Sequence, residues 1–480
     1  MTTRLSVPPA PVPLEAYAQQ FDPLFGKDNQ RDGFRRYLEG VLLPTERHKT
    51  LTALVNAEPI MGAQEARVQS LQWFLSEATW DASALNARRL ELVRADPTTA
   101  PDGRGVLVID EHGDRKWGTK TAHVGKQYLG NLGKVDNGVV SVTSLWADER
   151  VYQPIEVEPY TPAHHFPQRQ ADPQFRTKLQ IAIELVDRAR QLRLPFRAVV
   201  ADAFYGKELS VQEGLEQLGV GYVLAVPPSS GWWHRAGTIG SLDAAARAAG
   251  WQDAAQPGRW VPVERHFRDG HTETWWALEV GAGPYGPTKP QRAVVATTDP
   301  GTLPERTTWY LVTNLPAPDT ARARASDHAP ADLAELVRLF GLRVWVEQSY
   351  KQAKVSLGWS DYQVRSDRAI RRHWALVWCA FSFCWHHVPA VLGADAPTEP
   401  EPPAAAAPTG VAASGTPAAV EVAGRGKKSA APAADAAPTM LVASCLAGGA
   451  GVAGALAHAV ALLERVVIAA PTAPTAASPR

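Results

Sequence analysis

The sequence predicts an α/β protein: a mixed sheet with helices on its faces, interrupted by a β-rich insertion, preceded by a helical domain and followed by a disordered tail rich in Ala and Pro. Three observations predict this class. Residues 14–100 show helical spacing only, residues 103–227 alternate strand-length apolar runs with helical patterns, and residues 390–480 are of low complexity.

The helical N-terminal domain, residues 14–100, is predicted from the 3.6-residue period. Within the stretch 66–93 the apolar residues recur at helical spacing: Val68, Leu71, Phe74 and Leu75. This stretch and a second helical stretch, 33–43, both carry arginines. We therefore predict that the domain binds DNA, although a packing domain with solvated arginines fits the period equally well.

The sheet, residues 103–227, is predicted from the order three strands, helix, strand, helix, strand. A first apolar strand, GVLVID, ends at Asp110, and a later one, in FRAVVADAFYG, ends at Asp202. The other elements of this stretch are strands at 138–146 and 151–160, a helix at 174–192, the helix KELSVQEGLEQLG and the strand GYVLAVP. Open α/β sheets bind ligands at strand ends, so both aspartates are candidate site residues.

The remaining boundaries follow from changes of period. Strict alternation with Gly and Pro turns predicts the β-rich insertion at 228–316. Helical spacing resumes from Asp332 through Ala353 and again from about Asp367 to His387, so residues 330–389 are predicted to return to the α/β domain as helices.

Charge and cysteine content exclude several classes of protein. The 49 Lys and Arg balance the 49 Asp and Glu, which excludes a uniformly basic DNA-wrapping protein, so any nucleic acid is held by local patches. Three cysteines without a CxxC pair exclude a disulfide scaffold and a zinc finger, and we expect a cytoplasmic protein associated with DNA. The tail contains an uncharged stretch, 440–463, and its high content of Gly and Ala argues against membrane insertion.

Three acidic residues are candidates for metal binding: Asp110, Asp202 and Glu347, the last in the apolar surroundings of VWVEQSY. An ionised group buried without a partner costs several kcal/mol, so each acid needs a donor, a cation or a raised pKa. Three converging carboxylates suit hard divalent cations, and a pair of such ions catalyses phosphodiester cleavage. Each acid also has a structural explanation, as a helix cap or as the partner of a nearby lysine.

The charges around these acids favour a polyanionic substrate. Eight basic residues against four acidic ones occur between Glu335 and His373, and six against three between Gly103 and Lys134. Such an excess suits nucleic acid, whereas a glycosidase built on two carboxylates has no use for it.

The helix RLFGLRVWVEQSYKQAK carries Phe340, Arg343, Glu347 and Lys354, and its spacing resembles that of a known family. This family is the DDE-type transposases of bacterial insertion sequences, in the branch with a β-rich insertion before the last acid. There the helix carries Tyr, two residues, Arg, three residues, Glu, six residues, Lys. Phe340 takes the place of the Tyr and removes its hydroxyl. The stretches VIDEHGDRKWGTKTAHVGKQYLGNLGKVDN and VVADAFYG resemble the family's segments with the first two acids.

The resemblance implies a ribonuclease H-like catalytic fold and a DNA transposase. It implies that Asp110, Asp202 and Glu347 hold two Mg²⁺ or Mn²⁺ ions, that water and then a DNA 3′-hydroxyl attack, and that Arg343 and Lys354 contact phosphate. The further basic residues of the two charged stretches that we expect on phosphate are Lys351, Lys116 and Lys120.

The expected partner is double-stranded DNA, as transposon ends and target, bound by a homodimer without a small-molecule cofactor. A catalytically inactive DNA-binding descendant of such an enzyme is the alternative that the sequence leaves open.

Overall fold

A computed structural model describes residues 12–233, 239–267, 271–282 and 291–394. The predicted disorder of the tail and the uncharged stretch 440–463 lie outside these residues.

The N-terminal part is helical, as predicted. Its helices are α1 (Val12–Gln19), α2 (Asp28–Leu42), α3 (Leu51–Leu54), α4 (Ala66–Ser76) and α5 (Ala82–Ala95). The stretch 66–93 forms two helices rather than one. The break arises where Asp81 caps α5, its carboxylate accepting a hydrogen bond from the Ala84 N–H at 2.8 Å.

The next elements form the centre of the sheet. They are β1 (Val106–Arg115), β2 (Gly125–Leu129), β3 (Lys134–Ala147), β4 (Tyr152–Tyr160), α6 (Lys178–Gln191), β5 (Ala198–Ala201), α7 (Ala203–Gly206), α8 (Leu209–Gln217) and β6 (Tyr222–Ala225). Five strands follow the spatial order β4-β3-β1-β5-β6. Strand β3 runs antiparallel to β1, whereas β5 runs parallel to β1 and β6. This is the ribonuclease H-like mixed sheet that the resemblance implies.

One predicted boundary in this sheet is wrong, and one strand was not predicted. Strand β1 does not end at Asp110 but continues to Arg115, because β3 is long enough to pair with its whole length, from Val106 opposite Ala147 to Arg115 opposite Gly138. The sequence analysis also missed β2, which pairs with the first residues of β3. The continuous apolar run at the start of β1 stops at Asp110, so the rest of the strand has no apolar signal.

The β-rich insertion consists of β7 (Gly231–Trp233), β8 (Ile239–Ser241), α9 (Leu242–Arg247), β9 (Val261–His266), β10 (Thr272–Ala282), β11 (Arg292–Thr297) and β12 (Thr308–Thr313). Strand β12 pairs with β6, so the insertion extends the central sheet instead of forming a separate one.

The last described elements are α10 (Ala321–Ala325), α11 (Leu333–Gly341), α12 (Val344–Val355) and α13 (Asp367–Ala394). Asp332 caps α11 as its position before the apolar run predicts, accepting from the Glu335 N–H at 2.7 Å. The single helix expected through Ala353 is two helices, α11 and α12, with a break at Leu342 and Arg343.

Helix α13 joins the N-terminal helices to the sheet. It packs against α2, α4 and α5 on one side and against β4 on the other. The Arg372 guanidinium is buried there and donates 2.8 Å and 2.6 Å hydrogen bonds to the Leu75 and Ala78 carbonyls at the end of α4. None of the helices in the described ranges is long and apolar enough to cross a bilayer.

Candidate active site

The first two candidate acids lie side by side in the sheet. In the parallel pair β1 and β5, Ile109 is opposite Ala201, and the next residue of each strand is an aspartate, Asp110 or Asp202. Strand β5 ends at this point, and Asp202 caps α7 by accepting the Phe204 N–H at 3.0 Å. The cap explains why an aspartate stands there, and it uses only one of the two carboxylate oxygens.

The third acid reaches the same place because the helix breaks. At Leu342 and Arg343 the backbone makes bonds to the third preceding residue, as from the Arg343 N–H to the Phe340 carbonyl at 3.0 Å. At Gly341, the last residue of α11, the Arg265 guanidinium packs against the backbone and donates to the Gly341 carbonyl at 3.3 Å, and a Cβ there would lie 2.7 Å from Arg265 Nη2. Helix α12 therefore starts afresh at Val344, with Glu347 in its first turn facing β1 and β5.

Arg343 lies among the three carboxylates. Its Nη2 is 2.9 Å from Oδ2 of Asp110 and 4.0 Å from Oδ2 of Asp202, and its Nη1 is 3.5 Å from Oε1 of Glu347. The exposed fraction of the acid side chains rises from 11% for Asp110 to 39% for Asp202 and 64% for Glu347. One guanidinium thus contacts all three acids that the sequence singled out.

The electrostatics favour the uptake of a cation at this point. Burial raises the pKa of Asp110 to about 7, Arg343 opposes this rise, and the charges of Asp202 and Glu347 add to it. Burial is the largest cause of the raised pKa, and the Arg343 guanidinium offsets it only in part. The acids outnumber Arg343 by three to one, so the cluster is left with a net negative charge.

The chemistry of the donor set fits divalent metal ions. Three carboxylates offer the hard oxygen ligands that Mg²⁺ and Mn²⁺ prefer. As they stand, no three acids, imidazoles or thiols in the described ranges are close enough together to hold a metal ion. The exposed Glu347 side chain can move, and Arg343 occupies the space between the acids, so metal binding requires Arg343 to withdraw.

Contacts behind the acids fix α12 on the sheet. Tyr350 stacks at a tilt on His112, with ring centres 5.0 Å apart, and its hydroxyl bonds the Thr143 hydroxyl on β3. From β4, Tyr152 stacks on Trp345 and donates to Gln352 Oε1 at 2.8 Å. The sequence analysis did not predict these contacts. The polar residues at every second position of β1 from Asp110 onward, His112 and Asp114, indicated that one face of the strand differs from an ordinary apolar core.

The candidate phosphate-binding lysines differ in their surroundings. Lys351 and Lys120 are exposed, whereas burial lowers the pKa of Lys354. Lys116 is engaged inside the protein: its Nζ donates to the Ser360 carbonyl at 2.9 Å and lies 3.4 Å from the centre of the Tyr362 ring. Of the four, Lys116 is therefore the one that must give up existing contacts to reach a phosphate.

Phe340, at the position of the family's tyrosine, packs in the core. It is 7% exposed, and its ring centre is 5.1 Å from that of Trp309 on β12. Trp232 and Trp275 of the insertion are also buried. The ring centre of Trp275 lies 4.2 Å from that of Trp309, so Trp275, Trp309 and Phe340 pack the insertion against α11.

Two neighbours of the acids were not found by sequence reasoning. Lys178, at the start of α6, pairs with Glu111 at 2.7 Å, one residue from Asp110. Phe204, two residues after Asp202, is 39% exposed. The pair Phe204 and Tyr205, which begins two residues after the strand-ending aspartate, was the available signal, but nothing in the sequence says which of the two rings is buried.

With this geometry established, similarity to known proteins decides the family. A model of the DDE superfamily endonucleases matches residues 20–280. The chain belongs to the DDE superfamily of endonucleases. A probable transposase for insertion sequence element IS701 from Microchaete diplosiphon is 31% identical over 355 residues, which are 73% of this chain and 81% of that protein. The chain is accordingly a DDE-type transposase of the insertion sequence kind.

A solved structure of the Drosophila P element transposase strand transfer complex is a far more distant match. It covers 50% of this chain and 57% of its own at 13% identity, with a TM-score of 0.21. A likeness of this size supports no argument about the DDE enzyme described here. The family match is more informative, because its residues include Asp110 and Asp202.

Proposed function

We propose that this DDE endonuclease cleaves the ends of its insertion sequence by metal-dependent phosphodiester hydrolysis and transfers the freed 3′-hydroxyl to target DNA. It acts as a homodimer on double-stranded DNA in the cytoplasm. The observation that carries the proposal is the position of Arg343, whose guanidinium contacts Asp110 and Glu347 and lies 4.0 Å from Asp202.

Asp110, Asp202 and Glu347 are the residues that would hold two Mg²⁺ or Mn²⁺ ions. When bound, such ions activate an attacking oxygen and stabilise the charge on the oxygen that leaves. Asp110 supplies a rigid ligand, because it lies within a strand that is paired on both edges. Glu347 supplies a mobile one, on the exposed first turn of α12.

Arg343 and the lysines bind the DNA backbone in this proposal. A phosphodiester oxygen is the natural partner for a guanidinium that withdraws from the acids, since Arg binds phosphate through paired hydrogen bonds. Lys351 follows Glu347 by one turn of α12, and Lys354 by two, so both lie beyond the acid on the same helix. Lys120 extends the basic surface after β1, and Lys116 joins it only if its contacts to Ser360 and Tyr362 open.

The test is a cleavage assay on labelled duplexes that carry the DNA flanking the coding region, with Mg²⁺ or Mn²⁺. Asp110→Asn, Asp202→Asn and Glu347→Gln should each lower the cleavage rate by about 10³-fold or more, because metal stabilisation of the transition state is worth several kcal/mol. Asp187→Asn, a change to an exposed carboxylate on α6, is the matched control and should leave the rate unchanged.

The inactive alternative gives a different result in the same assay. A descendant that only binds DNA would retain salt-dependent binding of the ends and show no cleavage with either metal. Full activity in any one of the three acid variants removes that residue from the proposed site.

A further inference from the structure

Phe204 places an aromatic ring in solvent directly beside the acids. It is 39% exposed, and its backbone N–H is bonded to Oδ1 of Asp202 at 3.0 Å. The ring is also packed in part, because it meets the Tyr205 ring edge-on with the ring centres 5.0 Å apart. Its exposed face gives up part of the free energy that burial would contribute to folding, so this face is the part of the side chain that the fold leaves unused.

Two lysines flank this ring. The Lys178 and Lys207 ammonium groups lie 5.5 Å and 5.9 Å from its centre. Lys178 is fixed by its 2.7 Å ion pair with Glu111. Lys207 is exposed, and its ion pair with the exposed Glu208 is longer, at 3.9 Å. The result is a flat apolar surface with positive charge at its margin, next to the carboxylates.

The backbone under the ring is held in place. Gly206 packs so closely on β6 that a Cβ would lie 1.9 Å from the Ala225 carbonyl oxygen, and its own carbonyl accepts a 2.8 Å hydrogen bond from the Gln212 amide. Together with the Asp202 cap, these contacts fix α7 relative to the acids. The position of the ring is thus determined by the residue that we expect to bind metal.

We propose that Phe204, with Lys178 and Lys207 at its margin, forms a stacking subsite for the nucleobase adjoining the phosphate that is cleaved. This inference rests on the proposed function, because it requires that phosphate to lie at the acids. A base is the ligand that the surface fits: every base has a π face that stacks on an aromatic ring, and Lys207 is available to the phosphate of the same nucleotide.

The experiment places 2-aminopurine at either nucleotide adjoining the cleavage point of a duplex taken from the flanking DNA. Fluorescence is measured on binding, with Mg²⁺ present and in a Glu347→Gln background that prevents cleavage. Stacking quenches 2-aminopurine, so we expect quenching with Phe204 and with Phe204→Trp, and its loss with Phe204→Leu. Trp117→Leu, at an exposed ring outside the site, is the matched control and should keep the quenching.

An abasic duplex separates stacking from other effects. Phe204→Leu should weaken binding of the complete duplex about tenfold, within the range found for one stacked base, and should leave binding of the abasic duplex unchanged. Its melting temperature should stay close to that of the parent protein, because leucine keeps an apolar side chain at this partly exposed position.

Three results overturn the inference. They are quenching that persists in Phe204→Leu, equal weakening on complete and abasic duplexes, and a change in the oligomeric state of the DNA-free protein on substitution of Phe204, which would assign the ring to a protein interface. If the parent enzyme cleaves ends with metal but shows no quenching, this inference alone fails. If it does not cleave, and Asp110→Asn behaves identically, the proposed function fails.

Discussion

At the scale of single residues, Arg343 is central to the candidate site. Its guanidinium is the shared counter-charge of three carboxylates. It lies four residues before Glu347 on the same helical segment, yet its shortest contact is to Asp110, 233 residues away. The i, i+4 pairing with Glu347 is readable from the sequence. The pairing with Asp110 is not, because it depends on where the helix break falls over the sheet.

A prediction about stability follows from the pKa of Asp110. With a pKa of about 7 in the folded protein against about 3.9 in the unfolded chain, the folded state holds more protons between these values, so stability falls as the pH rises from about 4 to 7. Asp110→Asn removes this dependence. Without metal, the variant should be more stable than the parent protein at pH 8, by at most about 4 kcal/mol, and similar to it at pH 4.5.

Urea unfolding at the two pH values measures the effect. Asp187→Asn, at an exposed acid, should show no comparable gain at pH 8. An Asp110→Asn variant that is less stable than the parent protein at pH 8 would contradict the prediction, because it would show that the contact with Arg343 outweighs burial.

Between elements, one carboxylate joins three segments of the chain. Glu158 at the end of β4 is 4% exposed and receives hydrogen bonds from Arg176, before α6, from Arg188, within α6, and from Arg371 of α13. Burial alone would raise the pKa of this carboxyl, but the hydrogen bonds and charges of Arg371 and Arg176 outweigh it and lower the pKa to about 2. The cluster fixes α6 and α13 to the same strand.

Glu158→Gln should therefore destabilise the protein at neutral pH. A folded pKa of about 2 against about 4.3 in the unfolded chain corresponds to about 3 kcal/mol, present above pH 5 and lost as the pH falls to about 2. Chemical unfolding at pH 7 and pH 3 should show the difference between variant and parent shrinking with acidity. Glu184→Gln, which changes an exposed partner of the same Arg176, should have a much smaller effect.

For the whole molecule, the N-terminal helices and the sheet share one hydrophobic core through α13. Trp374 of α13 is fully buried and stacks on Trp359 at 5.1 Å, in a cluster that includes residues of both α2 and β1. The boundaries at residues 100 and 330 remain predictions, and DNA binding by the helical part is a proposal. The packing nevertheless implies that these parts unfold together.

Trp374→Ala should lower the stability of both parts by about 3–5 kcal/mol, because it leaves a large cavity in the core that they share. Hydrogen exchange should show protection falling in α2 and in β1 alike. Trp117→Ala, at a side chain that is 81% exposed, should leave both unchanged. Loss of protection in the helices alone would show that they form an independent unit.

The sequence by itself determined the class of the fold and the identity of the candidate acids. Apolar periodicity is a local property, so the helical N-terminus, the strands that lead to Asp110 and Asp202, and the β-rich insertion were all readable. The spacing from Arg343 to Glu347 was readable for the same reason. The continuation of β1 and the existence of β2 were not, because pairing with β3 overrides the local pattern. The break between α11 and α12 was not readable either, because the apolar spacing continues across it.

Only the tertiary structure decided which side chains meet. It gathered the three acids around Arg343, turned Lys116 towards Ser360 and left Phe204 rather than Tyr205 exposed. These outcomes depend on parallel strand register, helix placement and burial, which are set by contacts between residues far apart in the chain. Local pattern fixes what each segment can form, and long-range packing fixes what each side chain can touch.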